Sequence, residues 1–240
     1  MVNINKFKIK LFADGANIED IKNLNSNPLI KGFTTNPTLM KKSGITDYEK
    51  FSREVIDIVN PKSISLEVFA DEIEEMEMQA RKIAQWGNNV YVKIPIQNTK
   101  GISTSDLVSK LSKDGIKINV TAIFTLDQIN DLFKKVDKKT EIIFSIFAGR
   151  IADAGVNPDN TFIKARQLIE KYKKYKFKLL WASVREVFNI YQAENVGADI
   201  ITVTGDILKK VNLRGKDLND YSIETVRMFY EDALKGNLKI

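Results

Sequence analysis

Eight short β-branched or apolar runs alternate with amphipathic helical stretches along the chain, and this alternation predicts an α/β fold, a (β/α)8 TIM barrel. Spacing points the same way: 240 residues over eight units is 30 per unit, close to the ~250 residues of such barrels. A doubly wound open sheet also alternates β and α, but no Gly-rich phosphate fingerprint follows the first strand, which favours closure.

The strands are expected at residues 8–13, 32–34, 63–68, 90–94, 116–120, 141–146, 178–182 and 200–203, with a helix between each pair. Gly and Pro fall mainly at unit junctions, and Gly87 and Gly197 read as helix C-caps leading into the next strand. The acidic stretch from Asp71 to Glu77 starts a helix, where carboxylates suit the dipole and Glu77 can pair with Arg81. Met76, Trp86 and Trp181 read as packing residues, and Tyr91 as core or pocket lining. A C-terminal helix over about 222–235, with Val226, Phe229, Tyr230 and Ala233 at helical spacing, is amphipathic and suited to cover the barrel or a neighbouring subunit. With no linker in the sequence, residues 1–240 are expected to form one barrel domain.

Composition narrows the chemistry. Histidine and cysteine are both absent, which excludes a Ser-His-Asp triad, a cysteine nucleophile, and imidazole or thiolate metal ligation. Asp, Glu, Lys, Tyr and water must carry any acid–base work. The first residues, Met1 to Phe7, form no signal-type apolar stretch, and no run of 18 apolar residues occurs. A cytoplasmic protein with no membrane partner is the expectation. Net charge is +6, with basic runs at Lys134-Lys135, Lys138-Lys139 and from Lys171 to Lys178. These fall on outer helices and the loops after them without a nucleic-acid motif, so they read as a solvated face, not a nucleic-acid surface.

The most informative residue is Lys93, set inside the apolar run Val90-Tyr91-Val92-Lys93-Ile94-Pro95-Ile96. Burying an ammonium is costly unless it loses its proton, is paired or does chemistry, and a free amine can attack a carbonyl to form a Schiff base. In a barrel, catalytic groups gather at the C-terminal ends of strands. Polar residues are dense there: Asp14, then Thr34-Thr35-Asn36 before Pro37, Glu67, Lys93, Asn119, Thr121, Ser145 and Arg150 on either side of the aromatic Phe147, and then Ser183 and Arg185. Each has an ordinary reading as well. Asp14, Asn36 and Ser183 could cap helices, Glu67 with Lys93 could be a structural ion pair, and Phe147 could be core. Their co-location on successive strands favours a site.

Seven blocks in order give the chain a resemblance to a known family. They are Phe12-Ala13-Asp14, Gly32-Phe33-Thr34-Thr35-Asn36-Pro37, Glu67-Val68, Val92-Lys93-Ile94-Pro95, Asn119-Val120-Thr121, Ser145 to Ile151 and Ala182-Ser183-Val184-Arg185. Together they resemble the transaldolases, including the short branch that also holds fructose-6-phosphate aldolases. The resemblance implies a Schiff-base (class I) aldolase barrel with no metal or organic cofactor, acting on sugar phosphates and assembling as a homo-oligomer. It implies Lys93 as the imine-forming lysine, Glu67 as proton exchanger through a water held by Thr121, and Asp14 as acceptor of the C4 hydroxyl proton. Asn36 would hold the dihydroxyacetone fragment. Arg185, Ser183 and Arg150 would hold phosphate, with Thr35, Ser145 and Phe147 lining the site.

In the aldolase branch the third-strand acid looks like a glutamine and the sixth-strand aromatic like a tyrosine; here they are Glu67 and Phe147. Both favour transfer over simple cleavage. Without a phenol near the enamine, one proton donor is missing and the intermediate can wait for an acceptor. The chain departs from the family pattern after the eighth strand, at Val203-Thr204-Gly205-Asp206-Ile207. Two other readings stay open: an aldolase releasing dihydroxyacetone, and a non-catalytic barrel binding sugar phosphate or polyanions.

Overall fold

The computed structural model describes residues 8–171 and 175–239. The strands β1 (Lys10–Asp14), β2 (Ile30–Thr34), β3 (Ser63–Glu67), β4 (Val90–Pro95), β5 (Ile118–Ile123), β6 (Ile142–Ile146), β7 (Phe177–Trp181) and β8 (Ile200–Thr204) are parallel and close in sequence order. β1 pairs with both β2 and β8, so this is the predicted (β/α)8 barrel. The outer layer holds α1 (Ile18–Asn25), α2 (Pro37–Lys42), α3 (Tyr48–Val59), α4 (Ile73–Ala84), α5 (Ser105–Lys113), α6 (Leu126–Lys135), α7 (Ala148–Asp153), α8 (Asp159–Glu170), α9 (Phe188–Asn195) and α10 (Gly205–Lys210), with α11 (Leu218–Lys235) last.

Successive strand side chains point to opposite faces, and the two faces here have different cores. On β4, Val90, Val92 and Ile94 join the main core between sheet and helices, whereas Tyr91 belongs to a smaller cluster inside the barrel with Phe12, Ile143, Leu180 and Ile200. Lys93 shares the parity of Tyr91 and therefore points inward. Phe12 fills the interior only because β2 offers Gly32 opposite it: a Cβ there would lie 2.5 Å from the ring. The Tyr91 hydroxyl donates to Glu141 at 2.6 Å, completing the inner packing.

Met76 and Trp181 are each 1% exposed, and Trp181 stacks on Phe162 with centroids 4.7 Å apart. Glu77 pairs with Arg81 at 2.9 Å. Lys134 and Lys135 occupy the last turn of α6, where cations suit the helix dipole, and Lys135 pairs with Asp106 at 3.0 Å. Residues 1–7, and residues 172–174 of the last basic run, lie outside the described residues. No described helix is long and apolar enough to cross a membrane.

Gly197 follows α9 with φ +79°, as a C-cap glycine should. Gly87 is a correction: it is not among the residues with positive φ, and its missing side chain instead makes room for Ile56, whose methyl would lie 2.8 Å from a Cβ. α11 is capped by Asp217 and has no buried residue, so it does not cover this barrel. Val226, Phe229, Tyr230 and Leu234 are exposed on it.

Candidate active site

A cavity of about 490 Å³ opens at the C-terminal mouth of the barrel, and ten of the eleven predicted site residues line it. Strand register explains the convergence: Glu67 is level with Lys93, Lys93 with Asn119, and Asp14 with Thr34. Lys93 is 7% exposed; its Nζ lies 2.8 Å from Glu67 Oε2 and donates to the Thr35 carbonyl at 3.2 Å. Thr35 is the predicted residue that does not line the cavity, reaching the site through that carbonyl. On α3, the Tyr48 hydroxyl donates to the Glu67 carbonyl at 2.7 Å and fixes the end of β3. Burial pushes the Tyr48 phenol well above its ordinary range, so it serves as a donor.

Asp14 faces this pair from β1. Burial raises its proton affinity above the ordinary carboxylate value, and the Lys93 charge and a Thr34 hydrogen bond oppose that only in part. On β5, Asn119 accepts a hydrogen bond from Ser145 at 2.6 Å and donates to Ser65 at 3.0 Å, a buried chain that sets the floor beside Lys93. Pairing of β5 with β6 slips between Val120 and Ile123, and Ala122 takes φ +57°. This irregularity lets Thr121 and Ala122, adjacent in sequence, both line the cavity. The buried Thr121 hydroxyl has no hydrogen-bond partner among the described residues, which suits it to hold a water or a substrate oxygen.

The opposite wall is cationic. Arg150 stands 5.8 Å above the Phe147 ring, and Phe147 packs on Phe124 at 5.9 Å. Ser183 adopts φ +65° after β7, and its carbonyl approaches Gly149 so closely that a Cβ would sit 1.6 Å away. Only glycine at 149 lets the start of α7, carrying Arg150, meet the loop carrying Ser183 and Arg185.

A model of one family, Transaldolase/Fructose-6-phosphate aldolase, matches residues 11–238. The chain belongs to that family. A probable transaldolase of Caldicellulosiruptor saccharolyticus is 36% identical over 229 residues, 95% of this chain and 100% of its own length. Probable transaldolases of Lactiplantibacillus plantarum and Dehalococcoides mccartyi are 37% and 35% identical over 85% of this chain, covering 88% and 90% of theirs. Among solved structures, an N-acetylneuraminate lyase from Mycoplasma synoviae (TM-score 0.52, 15% identity, 95% of this chain and 81% of its own) shares the fold. So does a KGPDC from Streptococcus mutans (TM-score 0.55, 11% identity, 84% of this chain and 90% of its own). The transaldolase relatives make this chain an enzyme of the transferase or aldolase type.

In this transaldolase-family barrel the capping alternatives resolve individually. Asn36 does cap α2, accepting from Leu39 N–H at 3.0 Å, while also lining the cavity. Asp14 caps nothing, because Asn17 caps α1, and Val187 rather than Ser183 precedes α9. Two contributors, Thr202 and Asp153, are absent from the sequence reading, and a third, Thr34, appears there only among the strand-end residues with no role of its own. Thr34 and Thr202 line the cavity behind Asp14. Asp153 clasps Arg185, with both its oxygens within 3.2 Å of Nε, which pushes the guanidinium up and the carboxyl down from their ordinary values. No local spacing marks Asp153, because its partner Arg185 lies 32 positions further along the chain.

Proposed function

We propose that this chain is a cytoplasmic transaldolase of pentose phosphate metabolism. It transfers a dihydroxyacetone unit from sedoheptulose 7-phosphate or fructose 6-phosphate to an aldose phosphate. The observation that carries this reading is the inward lysine at the floor of the cavity, between Glu67 at 2.8 Å and the half-buried Asp14, with Arg150 and Arg185 on the wall.

Lys93 Nζ attacks the C2 carbonyl of the ketose, and the carbinolamine loses water to give an iminium. Glu67 passes protons for both steps through a water held by the free Thr121 hydroxyl. Asp14 then takes the C4 hydroxyl proton. The C3–C4 bond breaks, its electron pair enters the iminium to form an enamine, and an aldose phosphate leaves. Asn36 holds the three-carbon fragment. The enamine carbon adds to the carbonyl of a second aldose phosphate, Asp14 returns its proton to the new C4 oxygen, and water releases the product from Lys93. Ser183, Arg150 and Arg185 hold the phosphate, guanidinium groups being suited to paired contacts with phosphate oxygens. Ser145 supports the fragment from β6, and Thr35 orients Lys93 through its carbonyl. Glu67 and the phenyl ring of Phe147 favour transfer over release.

The test is to follow fructose 6-phosphate with and without erythrose 4-phosphate. Turnover is expected only with the acceptor. Free dihydroxyacetone without it would make the enzyme an aldolase, and no reaction in either case, with no borohydride-fixed sugar on Lys93, would refute the reading.

We propose also that the enzyme is a homo-oligomer in which a second copy covers the exposed apolar residues of α11. Truncation before Leu218 is then expected to reduce the mass measured by sedimentation to that of a smaller assembly. An unchanged assembly would refute that role for α11.

A further inference from the structure

Asp14 does not stand alone. The hydroxyl of Thr34, 3% exposed, donates to Asp14 Oδ1 at 2.8 Å. Behind it, Thr202 on β8, 8% exposed, places its Oγ1 2.5 Å from that of Thr34. A threonine hydroxyl carries one proton. Since Thr34 gives its own to Asp14, the proton in the Thr34–Thr202 contact must come from Thr202. Direction is therefore set along the chain, from Thr202 to Thr34 to Asp14. A hydroxyl that accepts a hydrogen bond donates more strongly, and both groups are shielded from water.

We propose that Thr202 is a positioning residue that acts through Thr34 to orient the Asp14 carboxylate for proton transfer at the substrate C4 hydroxyl. This rests on the reading of Asp14 as that proton acceptor. Once Asp14 holds the proton, the chain can reverse: Asp14 donates to Thr34, and Thr34 turns its hydroxyl towards Thr202. Nothing but hydroxyl rotation is needed, so the same pair supports both forms of the acid. The charged groups facing Asp14 are Lys93 from β4, which favours its anion, and Glu67 from β3, which disfavours it. From β2 and β8, the two strands that flank β1, the groups facing it are the hydroxyls of Thr34 and Thr202. Burial is the dominant force against the anion, and this hydroxyl chain opposes it.

The experiment compares Thr202→Val, Thr202→Ala and Thr202→Ser by the pH profile of kcat/KM, with borohydride trapping of fructose 6-phosphate on Lys93 measured in parallel. Valine keeps the shape and removes the donor. It is expected to lower cleavage about three- to ten-fold, the worth of one net hydrogen bond, and to move the acid limb to higher pH, because Asp14 loses support for its anion. Alanine is expected to behave the same way, and serine to restore the wild-type profile. Adduct formation should be unaffected in all three, since imine chemistry does not use Asp14. Wild-type pH profiles in Thr202→Val or Thr202→Ala, or serine as impaired as valine, with trapping intact, would overturn the role of Thr202 alone. No adduct in the wild type would overturn the underlying mechanism and this inference with it.

Discussion

Lys93→Arg is expected to abolish turnover as completely as Lys93→Ala, by on the order of 10⁴-fold or more, because the covalent route is lost and not one proton-transfer contribution. Arginine is the sharper substitution. It keeps a cation opposite Glu67 Oε2, now 2.8 Å from Lys93 Nζ, and keeps donors for the Thr35 carbonyl. Yet a guanidinium stays protonated and offers no free electron pair to a carbonyl. A purely structural ion pair would tolerate the exchange; a Schiff-base lysine would not. Stability separates the two variants in the other direction. Lys93→Ala leaves the Glu67 carboxylate enclosed without its partner, and breaking a fully buried pair costs about 3–5 kcal/mol. Here the cost should be lower, because the two side chains retain 9% and 15% exposure to the cavity. Denaturant midpoints should therefore fall for Lys93→Ala and change little for Lys93→Arg. Residual activity above a tenth of wild type in Lys93→Arg would sink the Schiff-base role.

The reason Lys93 was legible in the sequence is that its signal is local: one charge in a strand whose neighbours are apolar on both faces. Glu67, Asn119 and Thr121 were legible by the same period-two logic, at the ends of strands whose order the alternation of units had already set. Strand ends were less legible. β2 begins at Ile30 rather than Gly32, since backbone pairing with β1 continues past the residue whose missing side chain admits Phe12. Thr202 was hidden for a different reason. Nothing near it in the chain marks it, and only closure of β8 onto β1 brings it to Thr34. The left-handed backbone at Ala122 and Ser183 was equally hidden, because neither residue type prefers that conformation. Their neighbours impose it, and both positions border the cavity.

Asp14→Asn is expected to cut turnover by about 10²–10⁴-fold, the usual contribution of a positioned acid–base group, and yet to raise thermal stability at neutral pH. The second effect follows from the direction in which the fold moves this carboxyl. Burial outweighs the Lys93 attraction and the Thr34 hydrogen bond, so Asp14 binds its proton more tightly in the folded chain than in the unfolded one. A group shifted upwards contributes stability that is fully present below the unfolded value and is lost as pH rises through the folded one. Above that window the anion is held where charge is disfavoured. Asparagine removes the charge while keeping an oxygen to accept from Thr34. The melting-temperature gain of the variant should be largest near pH 7 and should shrink as pH falls through the carboxylate range, where the native acid becomes neutral too. Calorimetry across that range checks it; a variant less stable than wild type at neutral pH, or a gap that widens on acidification, would contradict the sign. Trapping supplies the matching chemical result. With imine formation intact and C3–C4 cleavage blocked, borohydride should fix the whole six-carbon ketose phosphate on Lys93, where the wild type also yields the three-carbon fragment. The same burial that destabilises the ionised carboxylate is thus what suits it to take up a proton from a substrate hydroxyl.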